Sequence, residues 1–463
     1  RGVLGDNFTK ENLQRIAYGL VQLLKKDKQD SSVIYIGYDN RFMGKTFAMW
    51  VAEVLVAYDI KIKFFEKSMP TPVVAFMSKT STFGIVLTAS HNPYYYNGIK
   101  IFKNGGEIPD EYASKLEKIA NSVKVNKIKT LSFQDGITFK KVEVVSSFES
   151  YVKSVISFLE KNEVTNFNPK ILFNSMHGNS AIVINEICKK IGFKNYEIMN
   201  ESIDPYFEYK LPAPYLKNLT GQAKRVKKEK FDLGIALDGD SDRITCIDKS
   251  GEIFDGNYIL TLLFKYFVEA KKYKGGVVHN TAFTNLISIL AKKVGCADYV
   301  AKVGFKNIAE VFDRTDAFLG GETNGVALKE HVKCKDGILG AFLLISLISY
   351  YKKSFKQILS SVEKELNYKS KVLEFAYPIT LKKKEEINEK VFIKKELPKF
   401  NKNIINTSYG DGAKYVFDGG YWAMVRFSGN ENVVRIFAEE SDENLVLKNI
   451  EIIENFIGVK VRQ

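Results

Sequence analysis

The 463-residue chain has few cysteines, and Cys188, Cys246, Cys296 and Cys334 lie tens of residues apart. No metal-like spacing joins them, which excludes a cysteine metal site and a disulfide framework and leaves buried thiols of a reducing compartment. Long apolar runs are missing too. None approaches the roughly 18–20 residues needed to cross a bilayer, and no signal-type segment opens the sequence. A cytoplasmic location with no membrane partner is the expectation. The sequence also lacks RNP, zinc-finger and basic-region patterns, so its net charge of +14 is not read as a nucleic-acid surface. Lysine is spread throughout, as in Lys271–Lys272–Tyr273–Lys274 and Lys382–Lys383–Lys384. That pattern predicts a solvated basic surface that also attracts anionic metabolites.

What is present describes an ordinary globular protein, with 45% apolar, 13% aromatic and 26% charged residues. The length predicts three or four domains of roughly 100–150 residues. Strand-like runs alternate with helical patterns: Val33–Gly37, then helical Thr46–Tyr58, then Lys61–Phe65 and Gly84–Thr88. The alternation returns at Lys170–Asn174, Ser180–Ile191 and Leu233–Leu237, and again at Gly276–His279, Leu286–Val294 and Asp316–Leu319. It predicts three similar α/β units with mostly parallel sheets. Past Tyr368 a Lys/Glu-rich stretch, Leu381–Phe400, precedes the strand-like Tyr421–Phe427 and Asn432–Ala438. This reads as a separate small α+β domain behind an exposed connection at Lys369–Lys371, where a hinge is expected. Boundaries are placed at 1–148, 149–255, 256–368 and 369–463.

Four segments carry chemistry. Thr88-Ala89-Ser90-His91-Asn92-Pro93 follows an apolar strand, which puts Ser90 at the C-terminal edge of a sheet, where open α/β folds hold ligands. Read alone it is equally a capped turn. Asp238-Gly239-Asp240-Ser241-Asp242-Arg243 carries carboxylates at every second position, which face one way if the chain stays extended. Packed without a cation they repel; with one they form an oxygen cage suited to Mg²⁺, and Arg243 is placed to clamp a phosphate. A calcium loop is disfavoured because its twelfth position is Lys249. Gly320-Gly321-Glu322-Thr323-Asn324-Gly325 offers Glu322 and Asn324 to sugar hydroxyls, or is a plain turn. Arg426-Phe427-Ser428-Gly429-Asn430, with Arg435 on the next strand, reads as an anion nest or a hairpin with surface arginines.

In this order and spacing the four segments resemble the α-D-phosphohexomutase family, the phosphoglucomutases and phosphomannomutases, in its bacterial form. TASHNP followed by NGIK, DGDSDR, a GE-x-x-G loop and an R-x-SG loop carry the match over essentially the whole chain. Gly37-Tyr38-Asp39-Asn40-Arg41, Thr71-Pro72 and Val303-Gly304-Phe305-Lys306 agree with it, and Arg1-Gly2 resembles the end of the family's N-terminal motif. The resemblance implies three similar α/β domains with mixed sheets and a C-terminal domain of the TATA-box-binding-protein type, arranged around a central cleft. It implies that Ser90 carries a phosphoryl group and that Asp238, Asp240 and Asp242 hold one Mg²⁺ per chain with a phosphoserine oxygen. Arg243 and Lys100 would flank the transferring group, and Arg1 and Asn92 are further candidate site residues. Glu322, Asn324, Gly304, Lys306 and Lys329 would read the sugar, and Arg426, Ser428, Gly429, Asn430 and Arg435 would grip the other phosphate.

The implied activity interconverts hexose 1-phosphate and hexose 6-phosphate (glucose, mannose or both) through a hexose 1,6-bisphosphate, which also serves as activator. Lys100, with its pKa lowered by neighbouring cations, or His91 is the expected general base. Small-molecule hexose phosphates are the expected partners, and the chain is expected to be a monomer or homodimer. The loop here is Glu-Thr-Asn-Gly where the family has Glu-x-Ser-Gly, and Val326 stands where dual-specificity enzymes carry His, which leaves the sugar open. Lys329, His331 and Lys335-Asp336-Gly337 instead resemble bacterial phosphoglucomutases. Phosphoglucosamine mutase and phosphopentomutase are the alternatives within the family. A serine-dependent sugar-phosphate phosphatase and a non-catalytic sugar-phosphate-binding protein are those outside it.

Overall fold

The computed structural model describes residues 1–27, 32–429 and 432–460. Three of its larger sheets repeat one strand order. In the first, Lys61–Phe65, Val33–Tyr38 and Phe83–Leu87 lie side by side and parallel, and Ile99–Lys103 closes antiparallel on Phe83–Leu87. In the second, Tyr196–Met199, Ile171–Asn174 and Leu233–Leu237 are parallel and Ile244–Asp248 is the antiparallel return. The third runs Asp298–Ala301, Val277–Asn280, Leu319–Glu322 and then antiparallel Gly325–Leu328. The recurrence in the sequence is thus a repeat of topology.

In each unit the third strand is buried along its whole length. This explains why these strands read as continuous apolar or glycine runs without alternation. The loop between the third strand and the antiparallel fourth stands at the carboxyl end of the parallel strands, the ligand edge of such sheets. These three loops are the serine, triple-aspartate and Glu-Thr-Asn-Gly segments. In the third unit the strand falls three residues later than the sequence indicates. The glycine pair there looks like a turn but is sheet, because a Cβ on Gly320 would lie 2.6 Å from Val278 and 2.8 Å from Phe312. Only a bare backbone fits against the helix Phe305–Arg314.

The last sheet is wholly antiparallel, in the order Lys371–Pro378, Val433–Glu440, Trp422–Phe427, Ala413–Phe417, Ile404–Ser408. The helix Glu443–Ile457 buries Val446, Ile450 and Ile453 against it. The Lys/Glu-rich stretch forms the helix Leu381–Ile387, which runs into a π-helical turn, Asn388–Ile393.

Of the connection expected to be exposed, Lys369 is exposed and Lys371 half-buried, but Ser370 is not. Ser370 is buried and its hydroxyl donates to Glu439 at 2.7 Å, beside Thr284, whose hydroxyl donates to the same oxygen at 2.6 Å. Tyr258 donates to the Ser370 carbonyl at 3.1 Å, and Tyr368 stacks on Tyr421 with ring centroids 4.7 Å apart. A buried carboxylate needs donors, and Ser370 of the connection, Thr284 and the Asn285 N–H supply them. The most apolar helix, Gly337–Tyr351, is core, started by Asp336, whose carboxylate accepts from the Leu339 N–H. Among the described residues no single helix is long and apolar enough to cross a membrane.

Candidate active site

Ser90 begins with its own turn. Thr88 Oγ1 accepts from the Ser90 N–H at 2.8 Å, and Ser90 is left-handed at φ 53°. A non-glycine residue in that region is strained, and its surroundings must hold it there. The holding group is Arg41. Its guanidinium donates to the carbonyls of Ser90 (2.7 Å), Asn92 (2.6 Å), Pro93 (2.7 Å) and Tyr96 (3.1 Å), while its Nε pairs with Asp39 at 3.1 Å. Asp39 also accepts from Thr88 Oγ1 at 2.6 Å. Burial pushes the Asp39 carboxyl up to about 6, and Arg41 and Thr88 only partly offset this. On the outer side of the loop Arg1 Nη1 donates to Asn92 Oδ1 at 2.7 Å.

The triple-aspartate segment is not extended. It turns back, with the Ser241 N–H on the Asp238 carbonyl at 3.0 Å and Ser241 left-handed at φ 65°. The turn, not strand alternation, gathers the carboxylates, whose nearest oxygens lie within 4.8 Å of one another. Thr71 secures the middle one: its N–H donates to the Asp240 carbonyl (3.0 Å) and its hydroxyl to Asp240 Oδ2 (2.7 Å). Ser90 Oγ donates to Asp238 Oδ2 at 2.7 Å, so the candidate nucleophile and the acidic cluster are in contact. Lys100 Nζ sits 2.8 Å from both Asp240 Oδ2 and Asp242 Oδ2. Arg243 lies alongside, its Nε 3.8 Å from Asp238 and its Nη1 3.2 Å from the Tyr215 hydroxyl.

Burial, with Asp240 and Asp242 adding to it, holds the Asp238 carboxyl well above the ordinary carboxylate range. Burial works the same way on Asp242, but Lys100, Lys335 and Arg243 reverse it and hold that group low. Asp240 Oδ1 and Asp242 Oδ1 are buried with no hydrogen-bond partner among the described residues. Clustered carboxylates with idle oxygens and uncompensated repulsion fit a hard divalent cation such as Mg²⁺, which takes oxygen ligands.

The two expected general bases depart from expectation. Burial alone would lower the Lys100 ammonium pKa, but Asp240 and Asp242 more than offset it and raise it well above the usual lysine value. Lowering by cations is therefore not the state of this site. His91 is pushed down to about 2 by burial, then by Arg243, Arg1 and Lys335, and its Nδ1 lies 3.4 Å from Ser90 Oγ. Its imidazole is neutral and a poor proton acceptor.

The third loop abuts the second, with the Ile244 N–H on the Asn324 carbonyl at 3.1 Å. Glu322 is buried, and its Oε1 accepts from the Gly304 N–H at 2.7 Å. Gly304, at φ 117°, occupies backbone space that side chains rarely adopt. Two expected sugar contacts are not assembled here. Lys329 begins at the far end of the hairpin, its N–H on Phe318 and its Nζ on the Thr315 carbonyl at 2.9 Å, roughly 13 Å of strand from the loop tip. Lys306 pairs with Asp110 at 2.5 Å on an exposed bridge. Lys335 stands where a cation is wanted, its Nζ 3.2 Å from Asn324 Oδ1. Sequence reading passed over it, though the Lys335-Asp336-Gly337 run was the available signal. His331 is fully buried against Asp336 (3.1 Å) and Ser154 (2.7 Å) and belongs to the core.

In the last sheet Arg426 and Arg435 are directly opposed across the strand pair Trp422–Phe427 and Val433–Glu440. Like charges in register repel. Each is offset by a carboxylate: Asp411 at 3.0 Å from Arg426 Nε, and Glu374 on Arg435. The Ser428 N–H closes the hairpin on the Val433 carbonyl, no described residue stands within 4 Å of where a Cβ on Gly429 would lie, and Asn430 lies outside the described residues.

A serine on a strained turn against buried carboxylates, flanked by Lys100 and Arg243, is an arrangement suited to metal-assisted phosphoryl transfer. Comparison with known proteins agrees. The family models for phosphoglucomutase/phosphomannomutase α/β/α domains I, II and III match residues 1–127, 149–251 and 255–365. A phosphoglucomutase/phosphomannomutase from Thermococcus kodakarensis is 25% identical over 98% of this chain and 95% of its own length. A phosphoglucosamine mutase from Campylobacter hominis is 28% identical over 99% and 97%. The crystal structure of a Thermus thermophilus protein, provisionally described as a phosphomannomutase, superposes with a TM-score of 0.86 at 25% identity, covering 99% of this chain and 97% of the other. The chain belongs to the phosphoglucomutase/phosphomannomutase family, the α-D-phosphohexomutases. It is a mutase, an isomerase that works by phosphoryl transfer.

Proposed function

We propose that the protein interconverts hexose 1-phosphate and hexose 6-phosphate through phospho-Ser90. The observation that carries this is the 2.7 Å contact between Ser90 Oγ and Asp238 within a carboxylate cluster that has two idle buried oxygens. In the first half-reaction the Ser90 Oγ–P bond breaks as a P–O bond forms to the free hydroxyl of the bound monophosphate. The hydroxyl proton leaves to a base, the departing Ser90 Oγ takes up a proton to become the hydroxyl, and a hexose 1,6-bisphosphate results. The bisphosphate turns end for end, and its other phosphoryl returns to Ser90. This cycle makes added bisphosphate an activator, since it primes the serine.

Asp238, Asp240 and Asp242 would hold one Mg²⁺, which supplies charge stabilisation on the transferring oxygens. Arg243 is placed to neutralise the same oxygens. Lys100 is the better base candidate. Its pKa is raised by Asp240 and Asp242, so engaging those carboxylates elsewhere removes the cause of the rise and moves the group towards the proton-accepting range. Glu322 and Asn324 orient the sugar, while Arg426 and Ser428 grip the phosphate that is not transferring. A retained second phosphate is what separates a mutase from a phosphatase.

Glucose and mannose phosphates are the first reading. Glucosamine phosphate is the second, favoured by the name of the Campylobacter relative. Turnover of glucose 1-phosphate, mannose 1-phosphate and glucosamine 1-phosphate, with Mg²⁺ and a trace of the matching bisphosphate, tests both. The expected product is the 6-phosphate of one or more of these sugars. Stoichiometric release of inorganic phosphate would instead make the protein a phosphatase.

A further inference from the structure

Two neighbouring backbone N–H groups, those of Val303 and Gly304, serve two carboxylates on different domains. Gly304 donates to Glu322 of the sugar loop at 2.7 Å, and Val303 donates to Asp411 Oδ2 of the last sheet at 2.5 Å. Asp411 Oδ2 also accepts from Thr281 Oγ1 at 3.0 Å, and its other oxygen pairs with Arg426 Nε at 3.0 Å. Both partners are largely buried, with side-chain exposures of 18% for Arg426 and 12% for Asp411, so water competes weakly for this pair. Binding through Nε fixes the guanidinium plane from behind. Among the described residues neither Nη of Arg426 is engaged, which leaves the two-pronged end that matches a phosphate.

We propose that Asp411 is a positioning residue: it fixes the Arg426 fork for the distal phosphate and ties that grip to the loop that holds Glu322. This rests on the reading of Arg426 as the distal phosphate grip. One carboxylate makes both attachments, so sugar and phosphate recognition share a single anchor on the Val303–Gly304 backbone. A carboxamide at this position keeps the size but cannot accept on both sides at once, so Asp411→Asn breaks one attachment without leaving a hole.

A double-mutant cycle between positions 411 and 426, read as KM and kcat for the accepted hexose 1-phosphate, tests the proposal. Asp411→Ala is expected to raise KM roughly tenfold to a hundredfold, the range of a lost charged hydrogen bond, with a smaller change in kcat. Asp411→Asn is expected to raise it less. In an Arg426→Ala background the same Asp411 changes are expected to add less than about threefold, because Asp411 acts through the missing guanidinium. Melting temperatures identify any variant that fails to fold, and Asp411→Asn then carries the test. An unchanged KM in Asp411→Asn and Asp411→Ala, or an undiminished Asp411 effect without Arg426, overturns the proposal and leaves the phosphate-grip reading standing. An Arg426→Ala enzyme with wild-type KM overturns that reading as well.

Discussion

Arg41 Nη2 donates to the carbonyl oxygen of Ser90 at 2.7 Å, from a side chain with no exposed surface. The same guanidinium holds three further carbonyls of the loop, so a single residue before the second helix, Gly44–Ala57, sets the backbone from Ser90 to Tyr96.

Replacing Arg41 by Met is therefore expected to cost about 3–5 kcal/mol, because it leaves Asp39 buried without its partner. Arg41→Lys is expected to recover only part of this, since a compact ammonium cannot span four carbonyls. Thermal unfolding checks the stability loss. Phosphoryl transfer is expected to fall with it in both variants.

Lys100 separates two roles. As a proton acceptor it must lose its charge in the cycle; as a counter-ion to Asp240 and Asp242 it must keep it. Arg keeps the charge and cannot deprotonate. Lys100→Arg is expected to lose at least about 10², the usual scale of general-base removal, and to resemble Lys100→Met in kcat. Substantial activity in the Arg variant would assign Lys100 the counter-ion role alone.

Lys414 gives the contact between the last two sheets a pH dependence. Its Nζ donates to the Thr281 carbonyl at 2.7 Å and lies 4.2 Å from the Trp422 ring centroid. Burial lowers its pKa to about 8, with Glu439 and Asp298 resisting. The folded protein thus releases this proton more readily than the unfolded chain, whose value is the ordinary 10.5. Stability from this group is full above pH 10.5 and is lost as pH falls from there to about 8. The slope between is at most about 1.4 kcal/mol per pH unit. Lys414→Met is expected to lack that slope, so wild type should gain on the variant in melting temperature as pH rises from about 8 to about 10.

The serine and triple-aspartate loops were legible in the sequence because each follows a buried strand that reads as an unbroken apolar run, whereas the third loop follows Leu-Gly-Gly-Glu, whose glycines look like a turn. Ser90 and the three aspartates could be found this way. Arg41, Tyr215 and Asp411 could not, since their roles exist only across long stretches of chain: Arg41 reaches 49 residues to Ser90, and Asp411 reaches 108 residues to Val303. Lys329 was misplaced for a related reason. Nearness in sequence to Glu322 became distance along a hairpin, while Lys335 came back to the loop from beyond the turn. The connection at Ser370 looked exposed from its polar composition. Ser370 instead turns inward to donate to Glu439, while Lys369 stays exposed.

The direct test of the account is the phosphorylation of Ser90. The protein is incubated with the accepted sugar's 1,6-bisphosphate and Mg²⁺, then digested and mapped by mass spectrometry, beside Ser90→Ala and a sample treated with chelator. The account predicts one phosphoryl group on the peptide containing Ser90, reversed by hexose monophosphate, absent in Ser90→Ala, and formed slowly or not at all without the metal. Phosphate on another residue, or a Ser90→Ala enzyme that turns over at near the wild-type rate, contradicts it.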